Sequence, residues 1–165
     1  MTFIPNVRAT TLLLLLPLAA GCPMDDDTSE EGGVLQSFSI LGTVGRVDAA
    51  VPSGDGVGTV WIAALTACEL GAPLAGATAV PNADLSSAES LVEFEIPDLP
   101  PGQVHLALFL DDDLDADPMM PIPGPGDLVY ADVAGDGILS CVAIDVDDED
   151  VEDVALLLTA VAPGA

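Results

Sequence analysis

A run of aspartates beginning at residue 111 carries the clearest chemistry in the chain. Carboxylates recur at every second position and return once more ten residues later, at Asp111, Asp113, Asp115, Asp117 and Asp127. In a looping backbone this spacing turns several carboxylates towards one point, which suits Ca²⁺ because it takes about six to eight oxygen ligands. We predict a Ca²⁺ site at these residues, with Asp127 closing the ligand shell. A solvated acidic turn is the alternative.

This pattern differs from the calcium loop of an EF-hand. Ala116 stands at the sixth position, where that loop needs glycine, and Ile122 stands at the twelfth, where it needs glutamate. An irregular oxygen cage of this kind predicts weak binding, with a dissociation constant of about 10⁻⁴ to 10⁻³ M as in extracellular modules.

A second acidic run lies nearer the C-terminal end. It contains Asp145, Asp147, Asp148, Glu149, Asp150, Glu152 and Asp153. It falls between two predicted strands, where charged residues most often form a solvated hairpin. We predict that role, with metal binding as the alternative.

The chain as a whole is strongly acidic. It has 28 acidic residues against two basic ones, Arg8 and Arg46, which gives a formal net charge of −26 and no lysine. Nucleic-acid binding is excluded, because it needs lysine and arginine to neutralise phosphates. The composition favours divalent cations or basic proteins as partners, although charge that only maintains solubility gives the same balance.

The first 22 residues have the pattern of an export signal. Arg8 precedes an apolar run at residues 12–18, which is shorter than the roughly 20 apolar residues that span a bilayer. The following Leu18-Ala19-Ala20-Gly21-Cys22 resembles a bacterial lipobox, the cleavage site of type II signal peptides.

This resemblance implies that residues 1–21 are a lipoprotein signal peptide and that Cys22 is the lipid attachment site. A diacylglycerol and an amide-linked acyl chain such as palmitate would anchor the protein stably, since two or more chains suffice. The expected location is the bacterial cell envelope, with the protein on the outer membrane and facing the periplasm or the surface. An ordinary signal peptide with an unmodified Cys22 is the alternative.

The remaining chain divides into a tether and one domain. Residues 22–36 are rich in charge and poor in apolar side chains, which predicts a disordered acidic tether. Residues 37–163 form the predicted domain. Because half of the chain is apolar and its mean hydropathy is +0.55, this part can build a core.

Short apolar runs separated by Gly, Pro and Asp predict strands. In the run at residues 90–96, Val92, Phe94 and Ile96 alternate with glutamates, as in a strand with one wet face. Alanine and leucine would also allow helices over Ala63–Leu74 and Val151–Leu158, but we predict strands there. The predicted strands are Phe38–Val47, Gly58–Cys68, Ser90–Ile96, Gln103–Leu110, Leu128–Val133, Ile138–Val146 and Val154–Val161.

Residues 98–113 carry a resemblance to a known fold family. Their Asp-Leu-Pro-Pro-Gly start and alternating apolar strand resemble transthyretin-like (prealbumin-like), carboxypeptidase-regulatory-like domains, and residues 39–44 are similar to the first strand of those domains. Val104 and His105 depart from the pattern, which usually has an aromatic residue there. The resemblance implies an all-β fold, a single seven-stranded sandwich of two sheets. The lysine isopeptide crosslink of the related Cna-B domains is excluded, because the chain has no lysine.

Two further cysteines, Cys68 and Cys141, remain after Cys22. Cysteine pairs in exported domains usually form disulfides, and this one would contribute about 4 kcal/mol by constraining the unfolded chain. Two buried free thiols are the alternative. A zinc site is disfavoured, because the sole histidine, His105, is not spaced with either cysteine.

Nothing in the chain predicts catalysis. His105 lies within a predicted strand and there is no Gly-x-Ser-x-Gly nucleophile motif, so a structural role is expected. Trp61 is expected in the core or on a sheet face rather than as a sugar platform. We therefore expect a non-catalytic binding or structural module, monomeric, with basic envelope proteins or glycans as partners. A carbohydrate-binding or enzyme-accessory domain and a cryptic hydrolase are the alternatives.

Overall fold

The computed structural model describes residues 36–131 and 140–163, and all regular structure within them is β-strand. The predicted signal peptide, Cys22 and nearly all of the predicted tether lie outside the described residues. No helix capable of spanning a membrane is found among the described residues. The strands are β1 (Phe38–Arg46), β2 (Val57–Leu65), β3 (Leu74–Asp84), β4 (Val92–Leu99), β5 (Gly102–Asp111), β6 (Leu128–Val129), β7 (Val142–Val146), β8 (Val151–Leu158) and β9 (Ala160–Val161).

The strands form two sheets. The three-stranded sheet has the order β4-β1-β8, in which β1 runs antiparallel to β4 and parallel to β8. The six-stranded sheet has the order β3-β2-β5-β6-β9, and β7 also pairs with β5. The all-β, two-sheet sandwich predicted from the sequence is confirmed, with nine strands instead of seven.

Side chains at every second position of the strands build the core between the sheets. The buried face of β5 consists of Val104, Leu106, Leu108 and Leu110. Because β5 pairs with β2 along one edge and with β6 and β7 along the other, its predicted central position is confirmed. The three-stranded sheet contributes Ile40, Val44, Phe94, Ile96, Leu156 and Leu158.

Strand β3 is the main addition to the predicted fold. Its sequence, Leu-Ala-Gly-Ala-Thr-Ala-Val-Pro-Asn-Ala-Asp, consists mostly of small residues, so that no clear alternation of apolar and polar side chains appears. Gly76 allows the strand to approach the opposite sheet, because a Cβ there would lie 2.7 Å from the side chain of Leu99. Close packing across the sheets thus stabilises a segment whose own residues give a weak strand signal.

The last predicted strand, Val154–Val161, is in fact two strands in different sheets. β8 belongs to the three-stranded sheet and β9 to the six-stranded sheet. The chain changes sheets at Thr159, whose backbone N–H donates to the Val129 carbonyl (2.9 Å) and whose hydroxyl donates to the Ala131 carbonyl (2.6 Å). The two strands predicted before it are Leu128–Val133 and Ile138–Val146. Their described parts contain β6 and β7, and residues 132–139 lie outside the described residues.

The side chain of Arg46 fixes two loops at one end of β1. Its Nε donates to the Leu85 carbonyl (2.7 Å), and its Nη2 donates to the Ser86 carbonyl (2.8 Å). Its Nη1 donates to the Ala50 carbonyl (3.1 Å). The guanidinium is therefore committed to backbone oxygens, and it has no acidic partner within the described part of the chain.

Cys68 and Cys141 are joined by a disulfide, as the sequence predicts, with Cα atoms 5.8 Å apart and a sequence separation of 73 residues. The bond links the segment after β2 to the residue preceding β7, and both strands belong to the six-stranded sheet. The chain-entropy model assigns about 4 kcal/mol to the closure of a loop of this length.

Candidate metal centre

The aspartate loop, residues 111–127, leaves the six-stranded sheet at the end of β5 and returns to it at β6. Asp111 is the last residue of β5 and pairs with Thr59 of β2. Gly58 makes this close pairing feasible, because a Cβ at that position would collide with the Asp111 carbonyl. The first carboxylate of the loop is therefore held by the framework of the sheet.

The chain folds around the carboxylate of Asp111, which is only 2% exposed. Its Oδ1 accepts the backbone N–H of Asp115 (3.1 Å), and its Oδ2 accepts the backbone N–H of Ala116 (3.3 Å). Leu114 adopts a positive φ of 60°, which lets the backbone reverse direction between them. The Asp111 carboxylate thus organises the turn. The lone pairs of its oxygens that accept no hydrogen bond can still bind a cation.

Three of the predicted ligands converge. Carboxylate oxygens of Asp111, Asp113 and Asp115 lie within 4.8 Å of one another. Asp117 lies outside this group, and its Oδ1 accepts the backbone N–H of Met119 (2.9 Å) and caps the following turn. The structure therefore brings together the first three aspartates and directs the fourth to a local hydrogen bond.

Asp127 adjoins this triad from the other end of the loop. It is 1% exposed, and its Oδ2 accepts the backbone N–H of Gly124 (2.7 Å). A Cβ on Gly124 would lie 3.0 Å from Oδ1 of Asp115 and 3.6 Å from Oδ2 of Asp127. The two carboxylates thus border the same glycine.

The electrostatics of the loop reflect this crowding. The pKa of Asp127 is raised to about 6, chiefly by burial; the hydrogen bond from the Gly124 N–H opposes the shift, and the charges of Asp111, Asp113 and Asp115 add to it. The pKa of Asp115 is raised chiefly by the charge of Asp113, then by desolvation within the loop. Because each carboxylate disfavours the ionisation of the others, the group gains from any cation that joins them.

Neighbouring residues that the sequence analysis did not single out support the loop. Oδ2 of Asp112 accepts the backbone N–H of Gly54 (2.9 Å), whereas its Oδ1 is buried without a hydrogen-bond partner. The hydroxyl of Ser53 donates to the Gly126 carbonyl (3.0 Å). The glycine-rich sequence at 54–58 indicates a turn, but its contacts with a loop some 60 residues away arise only from the tertiary fold.

The second acidic run, residues 145–153, differs from its prediction in one respect. It joins β7 of the six-stranded sheet to β8 of the three-stranded sheet, so it is a crossover between sheets and not a hairpin. The run crosses between the sheets because β8, the strand that follows it, pairs with β1 of the three-stranded sheet. Its carboxylates are exposed, and two of them accept hydrogen bonds, Asp145 from Gln103 and Asp150 from the backbone of Ser39.

His105 and Trp61 both lie on the outer face of the six-stranded sheet. His105 stands opposite Leu65 and Ala143. Trp61 is half-buried opposite Phe109, and its indole nitrogen is enclosed without a hydrogen-bond partner. Trp61 therefore occupies a sheet face, one of the two positions that the sequence analysis expects.

Comparison of the chain with family models, with curated proteins and with solved structures gives no match. Function is therefore inferred from the sequence and from the geometry of the described residues.

Proposed function

We propose that this protein is a lipid-anchored, non-catalytic binding or structural module of the bacterial cell envelope, and that Ca²⁺ stabilises its aspartate loop. The proposal for the metal depends on one observation. Oxygens of Asp111, Asp113 and Asp115 lie within 4.8 Å of one another, and the buried carboxylate of Asp127 adjoins them.

The donor set favours Ca²⁺ over other common divalent metals. All candidate ligands are carboxylate oxygens, whereas zinc sites are built mainly from cysteine and histidine. The loop is irregular in shape, which Ca²⁺ tolerates, while Mg²⁺ requires near-ideal octahedral geometry and releases its water reluctantly. Backbone carbonyls and water would complete the shell.

The bound ion would act on structure. It would neutralise carboxylates that otherwise repel one another, and it would connect the end of β5 to the start of β6 through Asp111 and Asp127. With an affinity of about 10⁻⁴ to 10⁻³ M, the site would fill at extracellular calcium levels. The loop would then be most stable where calcium is plentiful.

Isothermal titration of the full-length protein with CaCl₂ tests the metal site. We expect one ion per chain, weaker binding of Mg²⁺, and loss of binding in Asp115→Asn. Asp148→Asn, which makes the same charge change in the exposed second acidic run, serves as the matched control and should bind normally. Absence of heat with the unaltered protein, or equal loss in both variants, would contradict the proposed site.

The anchor is tested in a bacterial host with radiolabelled fatty acid. We expect label on the unaltered protein and none on Cys22→Ser, which should also leave the membrane fraction. An unlabelled protein whose fractionation is unaffected by the substitution would refute lipid attachment.

The non-catalytic part of the proposal is supported by the composition and by the position of the single histidine. His105 stands between apolar strand neighbours, Leu65 and Ala143. Generic ester substrates should therefore be stable in the presence of the protein. Hydrolysis that disappears in His105→Ala would identify an enzyme instead.

A further inference from the structure

A groove of about 980 Å³ lies where β3 and β4, edge strands of the two sheets, approach each other. We name it the β3–β4 groove. Residues 78–81 of β3 line it consecutively, so the groove follows the edge of that strand as well as one of its faces. The three-stranded sheet supplies the rest of its lining, from core-facing residues such as Phe94 and Val154 and from outward-facing residues such as Glu93 and Glu95.

Four carboxylates surround the groove, from Glu93 and Glu95 of β4 and from Glu152 and Asp153 of β8. All four side chains are exposed. The β8 pair is brought there by a bulge, because one extra residue of β8 is accommodated between Ile40 and Gly42 of β1. Two strands thus concentrate negative charge around the groove.

The groove combines this charge with apolar surface from Leu41, Val80, Phe94, Pro97 and Val154. No described basic side chain compensates the charge, since Arg46 donates to backbone carbonyls elsewhere. The surface therefore complements a ligand that is both cationic and apolar.

The edge of β3 along the groove is open. Within the described residues β3 pairs with β2 alone, so the backbone groups on its other edge have no strand partner. Exposed edges are usually protected by charge or proline. β4 has both in Glu93, Glu95 and Pro97, whereas β3 has Pro81 at one end of the groove and neither charge nor proline at residues 74–80.

We propose that the β3–β4 groove binds an extended, basic segment of a partner protein, which adds to β3 as a further strand. Backbone hydrogen bonds to β3 would give affinity, and lysine or arginine side chains of the segment would pair with the carboxylates that border the groove. This inference rests on the proposed binding role and names its partner class, and it is independent of the calcium site.

The test uses acetyl-Lys-Val-Lys-Val-Lys-Val-Lys-amide as the probe, titrated into the isotopically labelled full-length protein and followed by NMR. We expect backbone shifts at residues 78–80 and 93–95. Glu93→Gln/Glu95→Gln should weaken binding about tenfold, because two facing charges are lost. Glu69→Gln/Glu89→Gln, which removes the same charge from exposed positions outside the groove, is the matched control and should bind normally.

Three results would overturn the proposal. One is the absence of shifts in β3. Another is equal weakening in the control variant, which would indicate unspecific attraction. The last is equally tight binding of spermine, or of the same peptide N-methylated at every residue, since neither can donate backbone hydrogen bonds to β3. Thermal unfolding verifies that each variant is folded. If Glu93→Gln/Glu95→Gln is unfolded, the single variant Glu93→Gln is used in its place.

Asp115→Asn separates this proposal from the calcium proposal. The variant should lose calcium binding and retain peptide binding. Normal calcium binding without peptide binding would refute the groove alone, and the reverse would refute the calcium site alone.

Discussion

The aspartate loop and the second acidic run contain nearly the same number of carboxylates, six and seven, yet the fold uses them differently. In the loop, Asp111 and Asp127 are buried and three carboxylates converge. In the second run the carboxylates are exposed. The number of charges in a segment therefore says little about whether it forms a site.

The connections of the two segments explain the difference. The aspartate loop leaves from β5 and returns to β6, which are neighbours in one sheet, so its ends are held close together. The second acidic run connects β7 of one sheet to β8 of the other, so its two ends lie in different sheets. A segment closed at both ends in one sheet can turn its side chains inward, whereas a crossover leaves them in solvent.

The largest expected difference is in stability. Asp111→Ala should lower the free energy of unfolding in 5 mM CaCl₂ by about 3 kcal/mol, since it leaves two backbone N–H groups without acceptors and removes a ligand. Asp148→Ala in the second acidic run should change it by less than about 0.5 kcal/mol. Urea unfolding measures both, and equal effects would remove the distinction between the two regions.

Calcium should stabilise the protein through the aspartate loop alone. With a dissociation constant of about 10⁻⁴ M, 5 mM CaCl₂ raises the free energy of unfolding by about 2 kcal/mol. Asp113→Asn/Asp115→Asn should lose this gain and Asp147→Asn/Asp148→Asn should keep it, as judged by thermal unfolding with and without EDTA. If Asp147→Asn/Asp148→Asn instead lost the stabilisation by calcium, the calcium site would lie in the second acidic run.

Without calcium, the stability should fall as the pH rises from about 4 to above 6. The pKa of Asp127 is raised from 3.8 to about 6, so between these values the folded protein holds a proton that the unfolded chain has released. The stability gained from this proton is fully present below the pKa of Asp127 in the unfolded chain. It is lost as the pH rises through the pKa of Asp127 in the folded protein. After allowance for screening, we expect about 1 kcal/mol.

Asp127→Asn isolates this effect, because the amide oxygen still accepts the Gly124 N–H while the side chain no longer titrates. The difference in unfolding free energy between the two proteins in EDTA should change over this pH range. A constant difference would contradict the raised pKa. Calcium binding by the unaltered protein should also weaken below about pH 6, since protons compete for Asp127.

The smallest expected effect comes from Gly124→Ala. The new Cβ would lie 3.0 Å from Oδ1 of Asp115, so this carboxylate must move by a few tenths of an ångström. Calcium affinity should fall about threefold, with little change in stability in EDTA. An affinity equal to that of the unaltered protein in calorimetric titration would show that Asp115 and Asp127 do not share one ion.

Much of the fold was predictable from the sequence, because alternation in segments such as Val92–Ile96 directly reports a half-buried strand. Two features were not predictable. β3 is identified as a strand by its partner β2 and by the close approach at Gly76, not by its own pattern. The change of sheet at Thr159 depends on hydrogen bonds to Val129 and Ala131, which are distant in sequence.

The candidate site was predictable in the same limited way. Alternate spacing indicates that Asp111, Asp113 and Asp115 share a side of the loop, and the structure brings them together. The spacing assigns Asp117 the same role, but a local hydrogen bond to Met119 directs it elsewhere. The burial of Asp127 depends on its position beside β6, which the spacing of the aspartates in the sequence does not indicate.

The pairing of β1 with β8 also affects when the protein can fold. Ile40 lies beside Val151, so the partners are 111 residues apart, and β1 has no parallel neighbour until β8 has been synthesised. Contacts this distant form slowly, since most of the polypeptide must be available before they are made. A nascent chain can therefore pair β1 with β4, and β2 with β3 and β5, well before β8 is available, and the parallel pairing of β1 with β8 comes late.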